Sequence, residues 1–389
     1  MARVGLFGFV GSLAHAGRLA AAARALRAVG HEPVMFGDPA AFLGRGLLAE
    51  GEIPLVPHAE PSPAQVLGSA SPDEDATWFV QALADDRAAM RASRLNCAVV
   101  DNRRSAGIAA EAEGIPWVSL TNSLLLGPWC RFAPTVGELA ASCAPMFGTT
   151  PLAMMERAML RGMAPDSPMP IQAAALHPVV VEAIRSAGAR SRRAAHELNL
   201  GSRTLILDLA RIAGVRGVPP GARIVGPILP EPRGGGALKK GVLLVAFGST
   251  GDLAVRDALV AALATRWELS VAGAGAGMVA PEAFADAALV VCHGGNTTLY
   301  RAAWGRTPVL AIGSTMEQSL NAVAFARAGM GLAMSGEDAR RQPEVVVATV
   351  ERLLGDAAFR EKAASIGASV RRARALGEVV GAVGEVGGG

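Results

Sequence analysis

The stretch ALVVCHGGNTTLYRAAWG (288–305) decides the fold. An apolar, β-branched run ends at Cys292, the pattern of a strand buried on both faces of a sheet. His293, Gly294 and Gly295 then make a turn. Asn296, Thr297 and Thr298 open a helix that carries Leu299, Ala302 and Ala303 on one apolar side. Strand, glycine turn and helix form the repeating unit of a parallel α/β sheet, whose ligands bind at the carboxyl edge of the strands. Glycines let a backbone approach a ligand closely, and the free N–H groups and dipole of the helix favour a phosphate. His293 adds a ring donor and Thr298 a hydroxyl.

The same beat recurs on both sides of this stretch. GVLLVAFGS (241–249) is a buried strand whose end, Gly248, Ser249 and Thr250, offers a second phosphate contact. TPVLAIGS (307–314) is another strand, and Glu317 and Gln318 follow it at the same edge. A carboxylate beside an amide suits hydrogen bonding to sugar hydroxyls. In the first half, VGLFGF (4–9), EPVMFG (32–37), CAVVD (97–101) and PWVSL (116–120) read as strands. Leu19, Ala22, Ala23, Leu26 and Val29 recur at helical spacing after the first, and Gly30 stops that helix.

The segment VPPGARIVGPILPEPRGGGALKK (218–240), rich in Pro and Gly, is the linker candidate. It divides the chain into a first domain (1–217) and a second (241–389), two Rossmann-like α/β units facing across a cleft. The tail SVRRARALGEVVGAVGEVGGG (369–389) reads as a helix that frays into disorder.

With 389 residues, 51% of them hydrophobic, the chain can bury two cores. A net charge of +3 is too small for a nucleic-acid-binding surface. No apolar run reaches membrane-spanning length, so no stable membrane insertion is expected. Cys97, Cys130, Cys143 and Cys292 form no CxxC pair and read as reduced thiols of a cytoplasmic protein. The first residues have some features of a signal peptide, but the pattern runs on into an amphipathic helix, which favours a first strand and helix.

Residues 292–322 resemble the donor-binding segment of the GT-B fold glycosyltransferases of antibiotic and plant secondary metabolism (UDP-glycosyltransferase-like). That segment has a His, a Gly, a Ser or Thr opening the helix, a Gly-x-Pro (here Gly305-Arg306-Thr307-Pro308, one residue longer) and an Asp-Gln or Glu-Gln pair. VGPILP (225–230) resembles the family's interdomain linker and GHE (30–32) its first helix-to-strand turn. The resemblance implies that His293 and Thr298 touch the diphosphate and that Glu317 and Gln318 hold the sugar. Two positions depart from the family. AGAGAGMVAPEAF (272–284) lacks the Trp and Gln that pack on the nucleotide base, and Arg301 stands where a Glu usually binds the ribose.

Sugar transfer with inversion needs a base for the acceptor's proton. His15 lies in the first turn after the first strand, where the helix dipole favours its neutral form. Asp101 ends a strand at the same edge, placed to orient His15 and to stabilise its protonated form. The family resemblance, by spacing, gives the two the same roles. No Asp-x-Asp cluster points to a metal, so the expected co-substrate is a nucleotide-diphosphate sugar with no other cofactor. The small-molecule acceptor would meet part of the segment holding Trp78, Phe79, Trp129, Phe132, Met146, Phe147, Met154 and Met155. A sugar-nucleotide epimerase and a catalytically degenerate binding module are the alternatives, and the oligomeric state, a homodimer included, stays open.

Overall fold

The computed structural model describes residues 1–62, 71–129, 175–213, 217–229, 239–272 and 279–387. Two parallel sheets dominate it. The first holds β1 (Arg3–Gly8), β2 (Glu32–Phe36), β3 (Leu55–Val56), β4 (Cys97–Asp101), β5 (Trp117–Thr121), β6 (Arg203–Ile206) and β7 (Ala222–Ile224) in the order β3-β2-β1-β4-β5-β6-β7. The second holds β8 (Leu243–Ala246), β9 (Leu269–Ala272), β10 (Leu289–Cys292), β11 (Val309–Gly313) and β12 (Gly331–Ser335) in the order β12-β11-β10-β8-β9. Every pairing is parallel. The central strands are fully buried, as CAVVD and LVVC require, because helices cover both faces of each sheet.

Each sheet reverses its winding once. After β1 the chain adds β2 on one side and β4 on the other; after β8 it adds β9 on one side and β10 on the other. At such a switch point the connecting loops diverge and leave a crevice outside the carboxyl ends of the strands. In the first sheet Gly8 lies opposite Asp101, and in the second Ala246 lies opposite Cys292. The two crevices are therefore floored by Asp101 and by the residues just after Ala246 and Cys292.

The last helix corrects the expected division of the chain. Ala375–Gly387 neither frays nor packs with the second sheet. It buries Ala375, Val379, Ala382 and Val383 in the core of the first, beside Leu19, Ala22 and Leu26. Its small apolar residues recur at helical spacing, and Glu385 is paired with Arg203 and Arg223. The chain thus passes between the domains twice. The passages touch where Gly226, at φ +82°, leaves no room for a side chain against Ala373. Val225 and Ile228 of the expected linker are buried in the first core, while residues 230–238 lie outside the described residues.

Candidate active site at two switch points

The carboxyl edges of the two sheets meet. The Leu13 N–H donates to Ser249 Oγ (3.2 Å), and the Asn296 side-chain amide donates to Asp208 Oδ1 (3.0 Å). Asp208 lies just past β6 and is buried. Its other oxygen accepts from the backbone N–H and the hydroxyl of Ser123, each at 2.7 Å. Tyr300 O–H donates to Oδ1 (3.2 Å) and accepts from Leu209 N–H (2.8 Å). One carboxylate therefore joins the ends of β5 and β6 to the first turns of the helix Asn296–Trp304 in the other domain. Leu124 and Ile212 of the first domain also join the apolar core of the second, so the contact is packed as well as polar.

At the first switch point His15 sits on the third residue of the helix Leu13–Ala28. Its Nδ1 is 2.9 Å from Asp101 Oδ1, the pairing expected from the sequence. Asp101 is fully buried. Burial alone would raise its carboxyl, but Arg18 and His15 outweigh that and hold it at about 2. Arg18, which sequence reasoning missed, donates to both Asp101 oxygens. Its i+3 spacing from His15 was the available signal, since that spacing puts both side chains on one helix face.

The second switch point is built round His293. The helix Asn296–Trp304 opens on Gly295, which has no capping side chain, so its first-turn N–H groups are left for a ligand. A Cβ on Gly295 would fall 2.4 Å from His293 Nε2, and one on Gly248 3.0 Å from its Cε1. The glycines are required because the imidazole fills the space beneath both loops. Gly294, at φ +77°, needs glycine for its backbone, and a Cβ there would strike Gln318 O. Thr297 and Thr298 are half-buried in the helix's first turn.

His293 itself is buried, with Nδ1 3.4 Å from Ala246 O. Burial pushes its pKa from 6.5 down to about 4, so the ring is neutral at pH 7 and carries one proton, not a charge. In the unfolded chain the ring takes up a proton near 6.5, before the folded chain does. Stability is therefore full above that pH and is lost as pH falls toward about 4. The His293→Gln variant is expected to lose about 3 kcal/mol less than the parent between pH 7 and 4 in urea titrations. Equal losses in both proteins would refute it.

Three further residues sit differently from their sequence reading. Gln318 is buried, with Nε2 donating to Thr250 O (3.1 Å) and Oε1 accepting from Ser314 N–H (3.1 Å). Its amide ties the β8 loop to the β11 loop, while Glu317 beside it is exposed. Asn296 bonds Asp208 and is not the helix cap. Arg301 is buried, its Nη1 donating to Val279 O (2.8 Å), and burial lowers it to about 10.

Two cavities adjoin the first switch point. One of about 450 Å³ runs between the domains, lined by Phe9, Arg45, Glu60, Ser249 and Thr250 among others. Glu60 was not anticipated; burial raises its carboxyl to about 7, and it accepts from Val10 N–H (3.1 Å). The other, about 320 Å³, is lined by Trp78, Phe79, Arg103 and Leu198 among others. Of the aromatic and Met residues expected near an acceptor, Trp78 and Phe79 line it. Phe132, Met146, Phe147, Met154 and Met155, and the Trp129 side chain, lie outside the described residues, as do Cys130, Cys143 and residues 273–278. Cys97 and Cys292 are free and buried. Among the described residues no helix is long and apolar enough to cross a membrane, and no group of three or more His, Cys, Asp or Glu is arranged to hold a metal.

Two doubly wound parallel sheets with apposed switch points make up the GT-B fold. Residues 268–376 match the model of the glycosyltransferase family 28 C-terminal domain, which spans β9 to the start of the last helix. A PGL/p-HBAD biosynthesis glycosyltransferase of Mycobacterium tuberculosis is 25% identical over 327 residues, 72% of this chain and 68% of that one. The glycotransferase of kitacinnamycin superposes with a TM-score of 0.70 at 18% identity, covering 99% of this chain and 98% of its own. Spinosyn rhamnosyltransferase complexed with thymidine diphosphate superposes with a TM-score of 0.64 at 16% identity, covering 97% and 98%. At these identities the solved structures show the fold.

Proposed function

We propose that the chain transfers a sugar, with inversion, from a nucleotide-diphosphate sugar to a small hydroxylated natural-product acceptor. The single observation that carries the reading is the bond from Leu13 N–H to Ser249 Oγ. It brings the helix bearing His15 against the loop of the phosphate-type crevice, so a base and a leaving-group site share one space. The diphosphate would lie on the open N–H groups of the helix Asn296–Trp304, with Thr297 and Thr298 in reach and Gly248, Gly294 and Gly295 giving the backbone clearance. The exposed Glu317 is free for a sugar hydroxyl, while Gln318 holds the loops that shape the pocket. The acceptor enters from the side of Trp78 and Phe79. The ring of His15 takes the acceptor's proton at Nε2 while Nδ1–H stays on Asp101.

A neutral His293 and backbone dipoles supply electrostatic support for the departing diphosphate, and no metal is needed in this reading. The thymidine diphosphate complexed with the spinosyn enzyme supports a nucleotide-sugar donor, and the names of the similar proteins support a natural-product or glycolipid acceptor. Cytoplasmic location belongs to the same reading. Calorimetry with thymidine- and uridine-diphosphate sugars tests it. At least one should bind, with unchanged affinity in EDTA. A panel without any binder would overturn the donor assignment, and binding that requires added magnesium or manganese would overturn metal independence.

A further inference from the structure

We propose that Phe9 is a partition between the acceptor and the donor, whose ring keeps water off the donor's anomeric carbon so that the sugar passes to the acceptor and not to water. The inference rests on the donor and base assignments proposed above. The two cavities meet at this residue. Among the described residues, Phe9 and Pro61 alone line both the cavity of about 320 Å³ on the Trp78 side and that of about 450 Å³ beside Ser249 and Thr250. An acceptor hydroxyl in the first and a sugar in the second approach each other where this pair stands. The Phe9 ring also lies edge-on to the His15 imidazole, with centroids 6.3 Å apart and planes at 60°. It therefore flanks the group proposed to take the acceptor's proton.

The ring's place is built into the loop that carries it. Gly11 is not among the glycines with positive φ, so its backbone conformation does not call for glycine. Space does: a Cβ there would fall 2.4 Å from Phe9 Cζ and 2.6 Å from Cε2. Between the two stands Val10, buried and held at both main-chain groups. Its N–H donates to Glu60 Oε2 (3.1 Å), and its carbonyl accepts from Arg45 Nη1 (2.9 Å). Two charged side chains from distant segments thus fix the main chain next to the ring. Ser12, the cap of the helix Leu13–Ala28, makes no side-chain capping bond. The start of the helix that bears His15 is held instead by this clamp and by the bond from Leu13 N–H to Ser249 Oγ.

A base that serves a hydroxylated acceptor serves water equally well. In the balanced side reaction a water O–H bond breaks and its proton goes to His15. The water oxygen forms a bond to the anomeric carbon, and the bond from that carbon to the diphosphate breaks, its electron pair leaving with the diphosphate. The products are a free sugar and a nucleoside diphosphate, and the donor is wasted. The His15 side chain is 18% exposed, so the fold alone does not shut solvent out. An aromatic ring at the junction of the cavities offers a water molecule no hydrogen bond and fills the space it would need.

The test reads nucleoside diphosphate released from the nucleotide sugar that binds in calorimetry, with no acceptor present. Phe9→Ala should raise this hydrolysis at least about tenfold. Donor affinity should stay within about twofold of wild type, since the ring does not hold the donor. Phe9→Leu, which keeps an apolar body at the junction, should raise hydrolysis less. Gly11→Ala displaces the ring without removing it and should act in the same direction as Phe9→Ala; it decides if Phe9→Ala does not fold. Hydrolysis unchanged or lowered in a folded variant that still binds the donor overturns the inference. Loss of donor binding in both variants overturns it too, because the ring would then be part of the donor cleft. Combining Phe9→Ala with His15→Ala separates the two readings. If the added hydrolysis vanishes, partition and base both stand; if it persists, the base assignment fails and the partition stands. If no nucleotide sugar binds the wild type, the donor assignment fails and the partition with it; if one binds and hydrolysis does not respond to Phe9, the partition alone fails.

Discussion

His15→Ala is expected to lower turnover by roughly two to four orders of magnitude, the usual worth of a positioned general base. The loss should fall on kcat, because the proposed donor site lies in the other domain, in the glycine loops around His293 and the first turn of the helix Asn296–Trp304. Calorimetry with the donor and single-turnover transfer, run on the same preparation, separate the two effects. The His15 side chain is 18% exposed at the end of a helix, so its removal opens no large cavity and the variant should fold. Asp101→Asn should act in the same direction through a different route. It removes the charge that holds Arg18 and turns one of the two accepting oxygens into an NH2 donor facing Arg18 or His15, and so is expected to cost stability in addition to rate. Transfer at near wild-type rate by His15→Ala would make that residue an ordinary helix position. Collapse of donor binding together with transfer would make it part of the cleft's structure and leave the chemistry to another group.

The second large effect is expected at Asp208, a residue outside both crevices. Asp208→Ala leaves the Ser123 N–H and hydroxyl, the Asn296 amide and the Tyr300 hydroxyl without their acceptor. Buried donors stripped of a partner cost about 1–3 kcal/mol each, though not additively, so a loss of about 3 kcal/mol in urea denaturation is expected. Tyr300→Phe removes one donor to Asp208 and the acceptor of Leu209 N–H, keeps the ring against Phe325, and should lose about 1–2 kcal/mol. Because the bonds cross between the domains, Asp208→Ala should also broaden or split the unfolding transition. A stability loss no larger than that of Tyr300→Phe would show that the carboxylate is not the joint that the geometry describes.

Local pattern carried the sequence reading a long way. Apolar runs of β-branched residues, each followed by a glycine turn and then by a helical period, predicted parallel sheets in both halves, because a strand covered on both faces has no polar side to show. The same pattern placed His293 and the glycines around it at a strand edge, and it put His15 and Asp101 at one edge of the first sheet. Their 2.9 Å pairing follows from β1 and β4 being neighbours at a switch point. The last helix was legible as a helix. Its partner was not, because an apolar stripe of Ala and Val fits either core.

Within the sites, the sequence by itself determined which residue types stand at the carboxyl edges, since a strand's end and a helix's start are set by the few residues around them. What each side chain bonds to was decided only by the tertiary structure. Arg18 reaches Asp101 across 83 positions, Asn296 reaches Asp208 across 88, and Gln318 reaches Thr250 across 68. Periodicity within a window of ten to twenty residues carries no information about such partners. A buried donor or acceptor takes whichever complementary group the packed fold brings within about 3 Å. For that reason Gln318 and Asn296, polar residues at an apparent ligand edge, proved to hold the architecture together, while Arg18, unremarked in the sequence, stands against the proposed base.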